Sequence, residues 1–185
     1  MSDPNGRLIF LHGASSSGKS TLISALRPLL PTPFWHLSID HLRDSGAWDM
    51  SYFATHALPW RTYRPAFFDG FHAMVASALR AGNDVILEHI LDTAGWHDAL
   101  RKKFAGLDVF FVGLLTQPEV LINREKERGD RPVGSAVKDH ETIHSGLSYD
   151  LTLSGQVDPN KNAQTLVKAW DRRSKSSKFF ERSST

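Results

Sequence analysis

The sequence predicts an α/β fold in which a doubly wound, five-stranded, mostly parallel sheet carries helices on both of its faces. Two observations favour this fold: short apolar runs alternate with helical patterns along the chain, and these runs are apolar on both faces. The chain has 185 residues, of which 41% are hydrophobic, and this composition suits one compact domain. We place that domain at residues 1–173.

The predicted strands are short runs rich in leucine, β-branched and aromatic residues. Strands that are buried on both faces stay apolar throughout, so these runs predict an inner sheet covered by helices. In chain order they are Leu8–Leu11, Trp35–Ile39, Val85–Leu87, Val109–Leu115 and Leu151–Leu153.

Helical patterns separate the strands and follow the last of them. In the second helix, apolar residues recur at three- and four-residue steps and form a stripe that faces the sheet. Asp158 and Pro159 supply the cap and the first turn of the last helix. The predicted helices are Lys19–Leu26, Pro65–Arg80, Thr93–Phe104, Pro118–Arg128 and Asn160–Arg172.

The composition excludes several classes of function. The 22 Lys and Arg residues and 20 acidic residues leave a net charge of +2, too small to indicate a nucleic-acid or membrane partner. The absence of cysteine excludes disulfides and thiol nucleophiles, and the histidines lack the spacing of a zinc site. Without a leader or a long apolar run, we expect a cytoplasmic protein. Residues 174–185 are basic and aperiodic, and we expect a mobile tail there.

A glycine-rich loop follows the first strand. Residues Gly13–Ser20 form a complete G-x-x-x-x-G-K-[ST] motif between a strand and a helix. Glycines let successive backbone N–H groups point at phosphate oxygens, and the following helix presents its positive end to the same anion. The motif therefore predicts a P-loop that binds ATP with Mg²⁺. Its nucleotide-binding residues are Gly13, Ala14, Ser15, Ser16, Ser17, Gly18, Lys19, Ser20 and Thr21.

Within this loop, Lys19 is expected to reach the β- and γ-phosphates, and the Ser20 hydroxyl to bind Mg²⁺. Glu88 ends the third apolar run, where a carboxylate can hold the same ion. Asp92, four residues further on, is the alternative metal carboxylate or a substrate-binding residue. The loop alone does not distinguish kinases from GTPases or motors.

Two further features favour a kinase. Asp40 follows the second strand, near the P-loop in a doubly wound sheet, and there it can take a proton from an acceptor hydroxyl. Arg124, Arg128 and Arg131 form a lid-like cluster of cations that can close on phosphates; Arg124 is expected to contact the nucleotide. The alternative for this helix is a solvated surface held by pairs of opposite charge.

Two other functions stay open. Asp92–Gly95 has the D-x-x-G spelling of a GTPase switch, but no N-K-x-D motif is present to read guanine. A toxin that phosphorylates a sugar nucleotide would also use a P-loop and a base Asp. The aromatic residues of Leu42–Arg64 either select an acceptor ring or belong to the core; they are Trp48, Phe53, Trp60 and Tyr63.

Four blocks of the sequence together resemble the chloramphenicol phosphotransferase-like family. They are the P-loop at Leu11–Ser20, the aspartate at Asp40, the R-x-x-x-R-G-D-R run at Arg124–Arg131, and the H-x-G-x-x-Y-D run at His144–Asp150. The resemblance extends from Leu8 to about Arg172 and implies a nucleoside-kinase-like P-loop fold with a lid.

The resemblance also implies an activity, namely phosphoryl transfer from ATP to the hydroxyl of an antibiotic-like or related small molecule. It assigns the general base to Asp40 and phosphate contacts to the lid arginines. The sequence departs from the family at Glu88-His89, where the family's founding member has two aspartates, and in the segment Leu42–Arg64. Arg43 forms an Asp-x-x-Arg motif with Asp40 and is a candidate contact for the acceptor.

Overall fold

Five parallel strands form a single sheet in the computed structural model, which describes residues 4–47, 49–128, 142–174 and 176–181. The strand order is β2-β3-β1-β4-β5, and each of the four neighbouring pairs is parallel. The doubly wound sheet predicted from the sequence is therefore confirmed. The strands are β1 (Arg7–His12), β2 (Trp35–Ser38), β3 (Val85–His89), β4 (Asp108–Leu115) and β5 (Leu151–Ser154).

Helices connect the strands, and two short 3₁₀ turns at Arg27–Leu29 and Lys178–Phe180 complete the described structure. The helices are α1 (Lys19–Leu26), α2 (Ile39–Asp44), α3 (Met50–Thr55), α4 (Trp60–Arg80), α5 (Trp96–Lys103), α6 (Pro118–Arg128) and α7 (Pro159–Arg172). Helices α1 and α6 have the bounds that the sequence predicts, whereas α2 and α3 were not predicted.

Local chemistry explains where the predicted bounds were wrong. Strand β2 stops at Ser38 because that side chain accepts a hydrogen bond from the His41 backbone N–H and caps α2. Helix α5 begins only at Trp96, since Gly95 before it has a left-handed φ of 82°. Helix α4 starts five residues before the predicted Pro65, which lies inside the helix.

Alternate residues of the central strands pack against different helices, because successive side chains of a strand point to opposite faces of the sheet. One cluster joins Leu8, Leu87 and Phe111 to α4 and α5. The other cluster lies on the opposite face, where Ile9 and Val112 contact residues of α1 and α7. The sheet is thus covered on both faces, and the carboxyl ends of its strands meet along one edge. None of the described helices is long and apolar enough to cross a membrane.

Residues 176–181, within the segment for which the sequence predicts a mobile tail, pack against the domain. Phe179 is fully buried in the cluster formed by α4, α5 and the sheet. Its backbone carbonyl accepts a hydrogen bond of 2.9 Å from His97, and the carbonyl of Phe180 accepts one of 2.6 Å from Arg101. Burying a phenylalanine side chain stabilises the fold by about 1.5–3 kcal/mol, and the hydrogen bonds to the two carbonyl groups add to this contribution.

The predicted block His144–Asp150 has a structural role. Asp150 accepts hydrogen bonds from the backbone N–H of Phe111 on β4 and from the Ser177 hydroxyl and the Lys178 backbone N–H of the C-terminal segment. These bonds attach the chain end to the sheet.

Candidate functional site

A cleft of about 1130 Å³ lies at the carboxyl edge of the sheet. Doubly wound folds bind their ligands at this edge because successive loops leave the sheet there in opposite directions. The cleft is lined by the P-loop after β1, the first turns of α2 and α4, the end of β3, and the segment around Gly155–Asn162.

The P-loop has the backbone shape that its sequence predicts. Ser16 and Gly18 take left-handed φ values of 59° and 99°, which curl the loop in front of α1. Gly13 lies against β4, where a Cβ atom would come within 2.6 Å of the Leu114 carbonyl oxygen. Residues 15–21 line the cleft, while Gly13 and Ala14 lie beneath them.

Lys19 is buried and donates hydrogen bonds of 2.9 and 2.7 Å to the carbonyl oxygens of Gly13 and Ala14. This position keeps its ammonium group under the concave side of the loop. The charge of Lys19 therefore lies against the loop that the motif predicts to bind phosphates.

Ser20 and Glu88 meet at the floor of the cleft. The Ser20 hydroxyl donates a hydrogen bond of 2.8 Å to Oε1 of Glu88, and His36 lies 3.0 Å from Oε2 of the same carboxylate. Burial raises the pKa of Glu88, but the bonds from His36 and Ser20 and the charge of Lys19 together hold that pKa below its ordinary value. An ionised carboxylate beside a hydroxyl is a ligand pair that suits Mg²⁺.

Asp40 lies in the first turn of α2, on the other side of the cleft. Its carboxylate forms an ion pair of 3.0 Å with Arg43, one turn later in the same helix, and both side chains are about 40% exposed (39% and 41%). Arg43 also contacts Asp44 at 2.8 Å. The structure thus brings the predicted base and the predicted acceptor contact together at the cleft, where they bind each other.

Asp92 lies apart from Ser20 and pairs with an arginine that the sequence analysis did not identify. Nη2 of Arg64 donates hydrogen bonds of 2.9 and 3.0 Å to the two carboxylate oxygens of Asp92. The guanidinium carbon lies 4.6 Å from the ring centre of Phe68 and 4.7 Å from that of Trp96. Of the two candidate metal carboxylates, Glu88 contacts Ser20 and Asp92 belongs to this aromatic end of the cleft.

Buried histidines lie behind the aromatic end. His89, the last residue of β3, lines the cleft, and its Nε2 lies 2.9 Å from Nε2 of His72 on α4. Burial lowers the pKa of His72 to about 4, and burial together with neighbouring positive groups lowers that of His89 well below its ordinary range. Burial lowers the pKa of His12, in the adjacent strand, to about 3. All three rings are therefore neutral at pH 7.

Arg124 lines the other end of the cleft. Nη1 donates a hydrogen bond of 3.0 Å to the Ser17 carbonyl oxygen, and Nη2 donates one of 2.9 Å to the Gly155 carbonyl oxygen. The predicted nucleotide contact thus lies against the P-loop itself. Two other predicted lid residues, the Arg128 side chain and Arg131, lie outside the described residues.

Sequence reasoning missed several residues of this site, among them His36, Arg64, His89 and Trp96. Of these, only His36 and His89 carried a signal, because each is a polar residue in or at the end of an apolar strand. The other two come to the cleft through helix packing that a single sequence does not display.

Comparisons with known proteins identify the family of this chain. Residues 6–171 match the chloramphenicol phosphotransferase-like protein family. A protein of Mycobacterium tuberculosis (strain H37Rv) named "Putative O-phosphotransferase Rv2636" is 31% identical over 178 residues, which cover 84% of this chain and 78% of that protein.

Solved structures of kinases share the fold. The Mycobacterium tuberculosis APS kinase CysC, in complex with AMPPNP and APS, superposes with a TM-score of 0.67 at 18% identity, over 91% of this chain and 99% of that chain. The shikimate kinase of Aquifex aeolicus superposes with a TM-score of 0.56 at 19% identity, over 89% and 96% of the two chains. The chain therefore belongs to the chloramphenicol phosphotransferase-like family and is a kinase-type phosphotransferase that acts on a small molecule.

Proposed function

We propose that this protein transfers the γ-phosphoryl group of ATP, bound with Mg²⁺, to a hydroxyl group of a small molecule, with Asp40 as the general base. The observation that carries the proposal is that the P-loop, the Ser20–Glu88 pair and Asp40 all line the same cleft. Phosphoryl transfer needs little covalent chemistry from the protein, so that alignment and charge neutralisation are its main tasks.

The donor half consists of the P-loop and its neighbours. The backbone N–H groups of residues 13–18 and the start of α1 would hold the phosphates, and Lys19 would neutralise their charge. Ser20 and Glu88 would hold Mg²⁺, which when bound offsets charge on the β- and γ-phosphates. In this proposal Thr21 and Arg124 complete the nucleotide site, and Arg128 and Arg131 supply charge from the lid.

The acceptor half centres on Asp40. Its carboxylate takes the proton of the acceptor hydroxyl, whose oxygen then forms a bond to the γ-phosphorus while the bond from that phosphorus to the β-phosphate oxygen breaks. ADP leaves with the electron pair of the broken bond. The ion pair with Arg43 holds Asp40 in the first turn of α2, facing the cleft.

The charges of the acceptor half favour an acceptor without an acidic group. Arg43 and Arg64 already bind carboxylates, the first those of Asp40 and Asp44 and the second that of Asp92. An anion would have to displace one of these pairs. The remaining wall is apolar and suits a ring or an alkyl group, since it is formed by Met50, Trp60, Phe67, Phe68 and Trp96.

A substrate screen tests the proposal. The protein is incubated with ATP, Mg²⁺ and a panel of amino alcohols, nucleosides, sugars and antibiotics, and phosphorylated products are detected by mass spectrometry. We expect neutral or cationic acceptors to be phosphorylated. Lys19→Ala and Asp40→Asn should each lower turnover by about 10²-fold or more, the scale for a phosphate-binding cation or a general base.

Asp98→Asn is the matched control for Asp40→Asn, because Asp98 is an exposed helix residue outside the cleft. Normal turnover in both Lys19→Ala and Asp40→Asn would disprove the mechanism. Competition between ATP and GTP tests the alternative of a GTP-binding switch: a large preference for GTP would favour the switch over the kinase.

A further inference from the structure

We propose that His36 is a positioning residue for the divalent cation, acting through the carboxylate of Glu88. It fixes the orientation of that carboxylate, so that one oxygen binds the imidazole while the other stays directed at Ser20 and the metal. The inference rests on the proposed function, in which Ser20 and Glu88 hold Mg²⁺, and it gives a role to a residue outside the P-loop and the acceptor half.

The two oxygens of Glu88 have different partners. Oε1 accepts a hydrogen bond of 2.8 Å from the Ser20 hydroxyl, and Oε2 lies 3.0 Å from Nε2 of His36. Since an ionised carboxylate only accepts hydrogen bonds, Nε2 of His36 carries the proton in this contact. The metal-facing oxygen and the anchored oxygen are therefore distinct atoms.

The register of the sheet places the two residues for this contact. Strands β2 and β3 are parallel, with Ser38 opposite Glu88 and His36 opposite Ile86. Because side chains alternate along a strand, His36 and Glu88 lie on the same face as diagonal neighbours. Both side chains are largely buried, with 14% and 12% of their surfaces exposed, so that little water competes for the bond.

His36 is itself held in place by α2. The ring of His41 packs edge-on against the His36 ring with centres 4.4 Å apart, and Nδ1 of His41 lies 3.1 Å from the His36 carbonyl oxygen. The same first turn of α2 carries Asp40. His36 thus lies between the metal carboxylate and the helix that carries the base.

A free glutamate side chain has several rotamers of similar energy. Fixing one of them when the metal binds costs conformational entropy, so that the side chain binds the ion less tightly. Residues that hydrogen-bond to metal ligands fix this choice, and their removal typically weakens metal affinity about 10- to 100-fold. The effect expected here is on metal affinity and not on nucleotide affinity, because His36 does not belong to the P-loop.

Mn²⁺ is the probe, since its free and bound forms are distinguished by electron paramagnetic resonance. Mn²⁺ is titrated into the protein in the presence of AMPPNP, and the affinity for AMPPNP without metal is measured by calorimetry. The variants are His36→Leu, His36→Gln and Glu88→Gln, and the control is His56→Leu, which changes an exposed histidine directly after α3.

We expect His36→Leu to weaken Mn²⁺ binding about 10-fold or more. His36→Gln, which keeps an N–H donor, should stay within about 3-fold of the unmodified protein, as its donor replaces the imidazole. The affinity for AMPPNP without metal should not change. Unchanged Mn²⁺ affinity in His36→Leu, or equal losses in His36→Leu and His36→Gln, would overturn the positioning role.

The Glu88→Gln variant distinguishes this failure from a failure of the proposed function. If Glu88→Gln loses Mn²⁺ affinity and His36→Leu does not, Glu88 is a metal ligand that needs no help from His36. If Glu88→Gln binds Mn²⁺ as tightly as the unmodified protein, the proposed metal site is wrong, and the role of His36 is rejected with it.

Discussion

Acid should destabilise this protein through its buried histidines. A histidine in an unfolded chain has a pKa of about 6.5, whereas burial lowers the pKa of His72 to about 4 and that of His12 to about 3. When the pH lies between the pKa of a histidine in the folded protein and its pKa in the unfolded chain, the unfolded chain binds a proton that the folded protein does not. The free energy of unfolding therefore falls as the pH falls through this window and is fully present above about pH 6.5.

The magnitude follows from the two pKa values. Within the window each such histidine changes the free energy of unfolding by up to about 1.4 kcal/mol per pH unit. Between pH 7 and pH 5 the loss is about 2 kcal/mol for His72 and about 2 kcal/mol for His12. Other groups face His72: Lys103 lowers its pKa further, Asp69 raises it, and the neighbouring His89 is itself kept neutral by burial.

Urea denaturation at pH 7, 6 and 5 measures this effect in the unmodified protein and in His72→Gln. The glutamine keeps an amide for the bond to His89 but does not titrate, so the loss between pH 7 and pH 5 should shrink by about 2 kcal/mol. His56→Gln is the control, because His56 is exposed and lies directly after α3. The same loss in all three proteins would refute the assignment of acid sensitivity to His72.

Two further predictions concern packing. Phe179→Ala should lower the free energy of unfolding, measured in urea, by about 3–5 kcal/mol, the range for a fully buried phenylalanine. Phe180→Ala, which removes a half-buried ring, should lower it by less. Equal small losses in the two variants would mean that the C-terminal segment is not part of the core. Gly13→Ala should weaken AMPPNP binding at least about tenfold, since the new methyl group displaces the loop from its neighbour. Gly70→Ala on α4, where a Cβ meets nothing within 4 Å, is its control, and unchanged calorimetric affinity in Gly13→Ala would contradict the steric reasoning.

The sequence was sufficient for the sheet and the P-loop because both are local patterns. Each strand is an apolar run, and Gly13–Ser20 is a contiguous motif whose geometry depends on neighbouring residues only. The position of Asp40 could also be predicted, since the ends of parallel strands meet at one edge. Its location in a helical turn could not, because Ser38 continues the apolar run and also caps α2.

The acceptor end of the cleft depends on contacts between distant segments. Pro65 is typical of a first helical turn, yet α4 extends five residues before it, a placement that costs up to about 3 kcal/mol in a helix interior. The ion pair of Arg64 with Asp92 and its stacking on two aromatic rings offset this cost. Phe68 follows Arg64 by one helical turn, but Asp92 and Trp96 belong to another segment of the chain, so that no periodicity in the sequence relates them to Arg64.

The C-terminal segment shows the same limit in another form. Two phenylalanines among serines and lysines have no period, and the composition predicts mobility. Whether such a segment orders depends on a vacancy in the core that only the packed helices define. Phe179 fills that space between α5 and the sheet.

The buried C-terminal segment limits where this chain can be truncated. The family match stops at residue 171, and a gene fragment cut there would encode every described strand, every predicted site residue and all of α7 except Arg172. It would also leave Asp150 without two of its hydrogen-bond donors and open an apolar hole beneath α5. Such a fragment would lose solubility for reasons unrelated to its chemistry, and an absence of activity in it would say nothing about the enzyme.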